Sequence, residues 1–285
     1  MVLSDKMVEK KLKSVDVESY TIISTGINVL ISIIISIILV GLFAVAVPDS
    51  FGVMIYIIPT IIFGTIISNI FLRFTESYLY NILSDKFGYI KLDIEGEYIK
   101  KISTKETALI VGCISLIMIL VIYLAFSLII PLFLNSFMTI LMYSSQMDAA
   151  GALYQLMFLI SNPTTIAVGI IGTVIIVTVF TLLATYIYNI LADSERGILV
   201  KLTTEGEFNQ LESITPLNFA IAIGAICLIL NIVVGIIMML SGVPIFNALV
   251  DILMSFVSAF ISSYILAVFY NFLAPKLGKL KVELI

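Results

Sequence analysis

The chain contains no histidine and no tryptophan. The first absence removes the commonest proton shuttle and metal ligand of protein sites. The second leaves membrane-interface anchoring to 13 tyrosines and 18 phenylalanines. Cysteine is nearly absent. Cys113 and Cys227 lie inside apolar runs, outside any metal-type spacing, and read as small buried side chains. Charge is scarce: 12% of 285 residues are charged and 61% are hydrophobic, where a soluble domain carries about 25% charged residues. No Walker loop, dinucleotide fingerprint, His-Glu-x-x-His motif or nucleophile elbow occurs. An intramembrane serine nucleophile would need a base, and no lysine sits at the centre of an apolar run. The expectation is therefore no enzymatic activity, no metal, no cofactor and no nucleic-acid partner. A net charge of −4 is too small to point to a partner of either sign.

What is present is apolar length. Mean hydropathy is +1.18, and stretches long enough to cross a ~30 Å hydrocarbon layer recur along the chain. This pattern is that of a polytopic helical membrane protein. Residues 1–19 hold four lysines and four acids and lack an apolar core, so no cleavable signal peptide is read there.

Three of the apolar runs end in the same short sequence. The copies are Tyr80-Asn81-Ile82-Leu83 with Gly88, Tyr188-Asn189-Ile190-Leu191 with Gly197, and Tyr270-Asn271-Phe272-Leu273 with Gly278. Repetition on this scale sets the architecture. Three tandem repeats are expected: residues 1–95, residues 96–206 with an inserted segment at about 133–162, and residues 207–285. Each begins with a short polar lead-in: Leu12-Lys13-Ser14-Val15, Ile99-Lys100-Lys101-Ile102 and Leu211-Glu212-Ser213-Ile214. First membrane helices follow at about 20–46, 107–132 and 217–240, ending near Pro48, Pro131 and Pro244. Gly26, Gly112 and Gly224 would let backbones approach closely. Second helices run at about 57–84, 163–191 and 247–273. An apolar stretch at 51–58 is expected at the interface, and 133–162 is expected as an amphipathic helix on the surface or re-entrant.

Fourteen of the 15 basic residues fall in segments 1–19, 84–106, 192–216 and 274–285, and the last, Arg73, lies near the same side. The opposite loops are expected to hold only Asp49, Asp148 and Asp251. This positive-inside pattern places both termini in the cytoplasm of a cell (plasma) membrane protein and makes the repeats parallel, not inverted. The cytoplasmic segments alternate apolar and polar residues across Glu95-Gly96-Glu97 and Glu205-Gly206-Glu207, a hairpin signature. A lead-in strand at 11–17 can pair with a final strand at 279–284. The expected fold is an all-α polytopic membrane protein: six helices in three parallel two-helix repeats with pseudo-threefold symmetry. A small cytoplasmic β cap of about six strands, nearly or fully closed, completes it and leaves no exposed edge.

The repeat resembles a family of small bacterial and archaeal membrane proteins, a transmembrane domain of unknown function described first from actinobacteria. The third repeat fits best, through Tyr270-Asn271-Phe272-Leu273-Ala274 and Gly278-Lys279-Leu280-Lys281-Val282. The resemblance implies the two-helix unit and its strand. It brings no known activity and no site residues.

Candidate site residues are few. Asn81, Asn189 and Asn271 either ring an axis between the repeats, lining a pore or holding an ion, or bond helix-end carbonyls or the strand cap. Tyr80, Tyr188 and Tyr270, beside them, are candidates for the same axis or helix junction and read more simply as interfacial anchors. Arg73 and Glu76 share one helix face inside an apolar run, either as a structural pair or as a functional intramembrane site. The other repeats place Thr181 and Ser263, then Ala184 and Leu266, at those positions, so the pair breaks the symmetry. Asn28 and Asn231 are expected to bond between helices. Two functions remain open: a structural or regulatory membrane protein whose cap docks a cytoplasmic protein partner, and a channel or transporter using the axis between repeats.

Overall fold

The computed structural model describes residues 7–46, 56–143, 147–193 and 197–285. The element order is β1 (Val8–Val15), α1 (Val17–Ala46), α2 (Ile57–Phe87), β2 (Ile90–Glu95), β3 (Tyr98–Ile102), α3 (Thr104–Tyr143), α4 (Met147–Ser161), α5 (Pro163–Leu191), β4 (Ile198–Glu205), β5 (Phe208–Ile214), α6 (Pro216–Leu240), α7 (Ile245–Leu277) and β6 (Lys281–Leu284). These elements form two compact parts. The larger comprises the chain up to Ile110 together with Thr181–Ile285, and the smaller is Val111–Phe180.

Among the described residues, six helices are long and apolar enough to cross a membrane: Val17–Leu42, Ile57–Phe87, Thr104–Leu124, Pro163–Leu191, Pro216–Leu240 and Ile245–Leu277. The chain is a multi-pass membrane protein. Short polar residues start the helices by taking orphan amides. Asp16 Oδ1 accepts from the Ser19 amide at 2.9 Å, and Asn162 Oδ1 accepts from the Thr164 amide at 2.9 Å. Gly88 and Gly278 end α2 and α7 at φ +93° and +104°, a region that disfavours side chains.

Within the larger part, the strands close into an antiparallel barrel in the order β1-β2-β3-β4-β5-β6. Hairpins β2–β3 and β4–β5 turn at Gly96 and Gly206. The chain ends make the third pair: Leu12 lies opposite Leu284, and Lys11 and Ile285 exchange backbone hydrogen bonds of 2.7 and 3.0 Å. All three pairs share a one-residue register shift, which passes over Lys13, Lys100 and Glu212. Such bulges bend strands and help a short sheet close. The expected six-strand cap is thus present and closed. The all-α description is too narrow, because the barrel is a β element in its own right. Strand bounds differ slightly from expectation: β1 runs Val8–Val15 and β6 is limited to Lys281–Leu284.

In the same part, α1 packs on α2, α6 on α7, and α7 on α1. Small residues set the approach. A Cβ on Gly26 would lie 2.6 Å from Leu277 Cδ1, and one on Gly224 would lie 3.1 Å from Phe256 Cε2. In the smaller part, a Cβ on Gly112 would collide with the Thr178 hydroxyl.

Several expectations need correction. The first helix of the second repeat does not stop near Pro131; α3 continues to Tyr143. Proline is a weaker stop in an apolar segment, where neighbouring groups can satisfy the freed carbonyl. The segment 133–162 is therefore not one short amphipathic helix. Its first third belongs to α3, and α4 is a separate helix of 15 residues. Asp148 lies in the first turn of α4, and Asp251 lies inside α7, not in a loop. Pro48, Asp49 and most of the expected interfacial stretch at 51–58 lie outside the described residues.

Candidate functional site

The Tyr-Asn motifs meet the barrel where strand becomes helix. A strand leaving the barrel for a helix keeps its ladder partner on one side and loses the one on the other, yet the amide and carbonyl facing the lost side still require bonds. A carboxamide can serve both, since it carries an acceptor and a donor at the spacing of a peptide group. Asn81 Oδ1 accepts from the Val15 amide at 2.8 Å, and its Nδ2 donates to the Val15 carbonyl at 2.9 Å. Asn189 makes the same pair with Ile102 at 2.8 and 2.9 Å. Asn271 makes it with Ile214 at 2.9 and 2.7 Å. Each asparagine extends the sheet by one residue from a helix side chain.

The tyrosine before it closes the neighbouring gap. Tyr188 donates to the Ile99 carbonyl at 2.5 Å and accepts from the Ile198 amide at 3.1 Å. Its hydroxyl thus stands between β3 and β4. Tyr270 donates to the Leu211 carbonyl and accepts from the Leu280 amide at 3.3 Å, between β5 and β6. Tyr80 donates to the Leu12 carbonyl at 2.7 Å and faces the Ile90 amide, between β1 and β2. These are the three places where strands from different hairpins meet. The rings are buried, with exposures of 8%, 3% and 5% for Tyr80, Tyr188 and Tyr270. Their expected role as interfacial anchors is therefore corrected: an anchor keeps its hydroxyl among headgroups, whereas these hydroxyls bond strand backbone.

Small residues complete the contact one helical turn on. Ser84, Ala192 and Ala274 are at most 1% exposed, each three residues after the asparagine. Ser84 also donates to the Lys13 carbonyl at 3.2 Å. Repetition of a small residue at this position is the signal of this contact in the sequence. Around the clasps, Tyr188 and Ala192 pack with Ala222, Ile226 and Leu230 of α6. Tyr270, Leu273 and Ala274 pack with Ile23 and Ile27 of α1. The end of α5 thus rests on α6, and the end of α7 rests on α1.

The glycines are not equivalent. Gly88 and Gly278 are required by positive φ. Gly197 is required by space, because a Cβ there would sit 2.7 Å from the Ile99 carbonyl oxygen.

Each of the bulge charges meets an opposite charge nearby on the barrel. Lys13 and Glu283 form an ion pair at 2.7 Å, Lys100 reaches Glu95 at 3.9 Å, and Glu212 pairs with Lys279. Hydrogen bonds from Lys13 and Ser14 hold the Glu283 carboxyl below the usual carboxylate range, and the Lys13 ammonium is raised in turn. Bonds from Lys279 and Thr203 do the same for Glu212.

Arg73 and Glu76 lie apart from the clasps, on α2. Their ion pair is 2.7 Å long, with side-chain exposures of 32% and 30%. Tyr20 of α1 donates to Glu76 Oε2 at 3.2 Å. Two turns deeper, Asn28 Nδ2 donates to Asn69 Oδ1 at 2.8 Å, joining α1 to α2. Asn69 has no counterpart in the other repeats. Asn231, expected to bond between helices, instead donates to the Cys227 carbonyl of its own helix at 2.9 Å. Among the described residues, no group of three or more potential metal ligands comes together. Comparison with protein-family models, curated proteins and solved structures finds no match to this chain.

Proposed function

We propose that this protein is a non-enzymatic membrane scaffold or regulator of the cell membrane. In this reading, three parallel two-helix repeats with pseudo-threefold symmetry carry the barrel on the cytoplasmic face, where it docks a protein partner. Both termini are cytoplasmic. The basic residues support that orientation, since fourteen of 15 lie in the segments that build or flank the barrel. The resemblance to the two-helix family of unknown function is consistent with this reading and adds no activity.

One observation carries the reading. All three asparagines have committed the acceptor and the donor of their amides to strand backbone. A carboxamide so engaged holds a barrel in place and has little left for an ion. The alternative, a pseudo-trimeric channel or solute transporter along the axis between repeats, would need a polar or charged lining there.

Ion flux and single-channel recording on the purified protein in liposomes separate the two. A tight membrane for the wild type across salts and voltages is the expected result. Wild-type flux that vanishes or changes selectivity in a folded Asn81, Asn189 and Asn271→Leu variant would overturn the scaffold reading.

A further inference from the structure

The barrel is not filled to its mouth. A cavity of about 360 Å³ opens at the end away from the helices, lined in part by Lys10, Glu97, Val200, Leu202, Thr204 and Asn209. Its lining residues come from β1, β2, β4 and β5 and the β2–β3 turn. Since β1 and β4 stand on opposite sides of the barrel, the space they share is the lumen. The strand residues alternate, as Val8 with Lys10 and Val200 with Leu202 and Thr204, so they belong to the inner face. The volume lies within the range of small-molecule sites, about 300–1,000 Å³.

The chemistry of the lining is divided. Ile94 and Val200 are 8% and 6% exposed and give apolar walls with Leu202. Lys10 and Glu97 bring opposite charges. Neither joins an ion pair within 4.0 Å among the described residues, whereas outer-wall charges such as Glu9 and Lys91 pair at 3.4 Å. Asn209 is 6% exposed. Its Oδ1 takes the Thr204 hydroxyl at 3.3 Å, and among the described residues no acceptor takes its Nδ2 protons. A partly buried cation at Lys10, an exposed anion at the rim on Glu97 and a buried amide donor at Asn209 surround the apolar walls, and together they suit one kind of guest. A guest with both charges and an apolar body engages the two unpaired charges, the free amide donor and the walls at once.

We propose that the barrel mouth is a binding site for a small zwitterion with an apolar side chain, the class of the aliphatic amino acids. Lys10 and Asn209 hold the carboxylate, Glu97 holds the ammonium, and the side chain points down toward Ile94, Val200 and Leu202. The site makes the barrel a receptor for a small molecule, and it stands independently of the scaffold reading.

The test is isothermal titration calorimetry on the full chain in nanodiscs. L-leucine is the probe. 4-Methylpentanoate and 3-methylbutylamine each keep the apolar body and one charge. L-leucine is expected to bind saturably at one site, and each single-charge analogue at least tenfold more weakly. Lys10→Gln and Glu97→Gln should each weaken leucine at least tenfold, while Lys10→Arg retains binding; circular dichroism on each variant checks that it is folded. No saturable heat with L-leucine would overturn the proposal. So would 4-methylpentanoate binding as tightly as leucine with Glu97→Gln silent, which would mark a simple anion site. Leucine binding unchanged in both charge-removing variants would place it elsewhere and overturn it as well.

Discussion

Two polar regions of the larger part invite comparison: the strand–helix clasps and the α1–α2 interface. The clasps repeat. Each uses tyrosine hydroxyl and asparagine amide to satisfy strand backbone that the sheet has released. The α1–α2 contacts occur once. Arg73, Glu76 and Tyr20 form one cluster, and Asn28 with Asn69 another, all between side chains. A contact repeated in three places answers a need common to all three, namely closing a barrel whose strands splay into separate helices. A contact made once answers a need of one helix pair. Backbone partners also differ from side-chain partners in consequence. A side-chain pair can be removed on both sides together, but a strand amide cannot be deleted.

Breaking a clasp should therefore have the largest effect. Asn271→Leu orphans the Ile214 amide and carbonyl together. At about 1–3 kcal/mol for each unsatisfied group, the expected loss is about 2–6 kcal/mol, read from thermal unfolding in detergent by circular dichroism. Asn81→Leu and Asn189→Leu should behave alike. If one asparagine proves silent while the others do not, the clasps are not equivalent. Tyr270→Phe keeps the ring in its apolar cluster and removes the hydroxyl that bridges the Leu211 carbonyl and the Leu280 amide, so a loss of up to about 2–6 kcal/mol is expected in the same melt, smaller if one group finds another partner.

The interface should respond differently. Arg73→Leu leaves Glu76 without its cation and should cost about 1–3 kcal/mol, below the range for a fully buried pair because both groups are a third exposed. The double change Arg73→Leu with Glu76→Leu should recover most of that loss, since well-packed apolar residues often replace an ion pair at no net cost. A double variant as unstable as the single one would mean that the pair acts through backbone, as the clasps do. Asn28→Ala is expected to cost about 0.6 kcal/mol, a typical value for one interhelical hydrogen bond in a membrane.

The architecture was legible in the sequence because it is written in periodicity. Strand alternation around Gly96 and Gly206, together with the matching ends of the chain, was enough to expect a barrel closed through β1 and β6. The Tyr-Asn motif was visible for the same reason. Its partners were not, because a side chain at a helix end can reach headgroups, helix carbonyls or another element, and only the packed fold decides among them. Depth favours the anchor over the helix junction for Tyr80, Tyr188 and Tyr270, and only their burial and backbone partners decide between the two. Asn69 carries no mark in the sequence beyond being one amide in an apolar run, and its partner Asn28 lies 41 residues away. The course of α3 beyond Pro131 was hidden by treating proline as a stop in an apolar segment.

The smallest effect should come from the bulge charges and their partners, through pH. Glu283 is held below the ordinary carboxylate range by Lys13 and Ser14, so the unfolded chain takes up this proton before the folded barrel does. Its contribution is complete above the ordinary carboxylate range and is lost as pH falls through the depressed folded value. Amide exchange across β1 and β6 should therefore quicken on acidification to about pH 3, and Glu283→Gln should flatten that dependence. A β1–β6 pair that loosens equally in the variant would assign the acid response to other carboxylates.

The central claim is that the three asparagines hold strand backbone. Amide hydrogen exchange at Val15, Ile102 and Ile214, measured in nanodiscs for the wild type and each single Asn→Leu variant, tests it most directly. Slow exchange at all three in the wild type is predicted, with protection lost only at Val15 in Asn81→Leu, at Ile102 in Asn189→Leu and at Ile214 in Asn271→Leu. Protection unchanged by the substitutions, or absent in the wild type, would contradict the account and return the asparagines to the axis between the repeats.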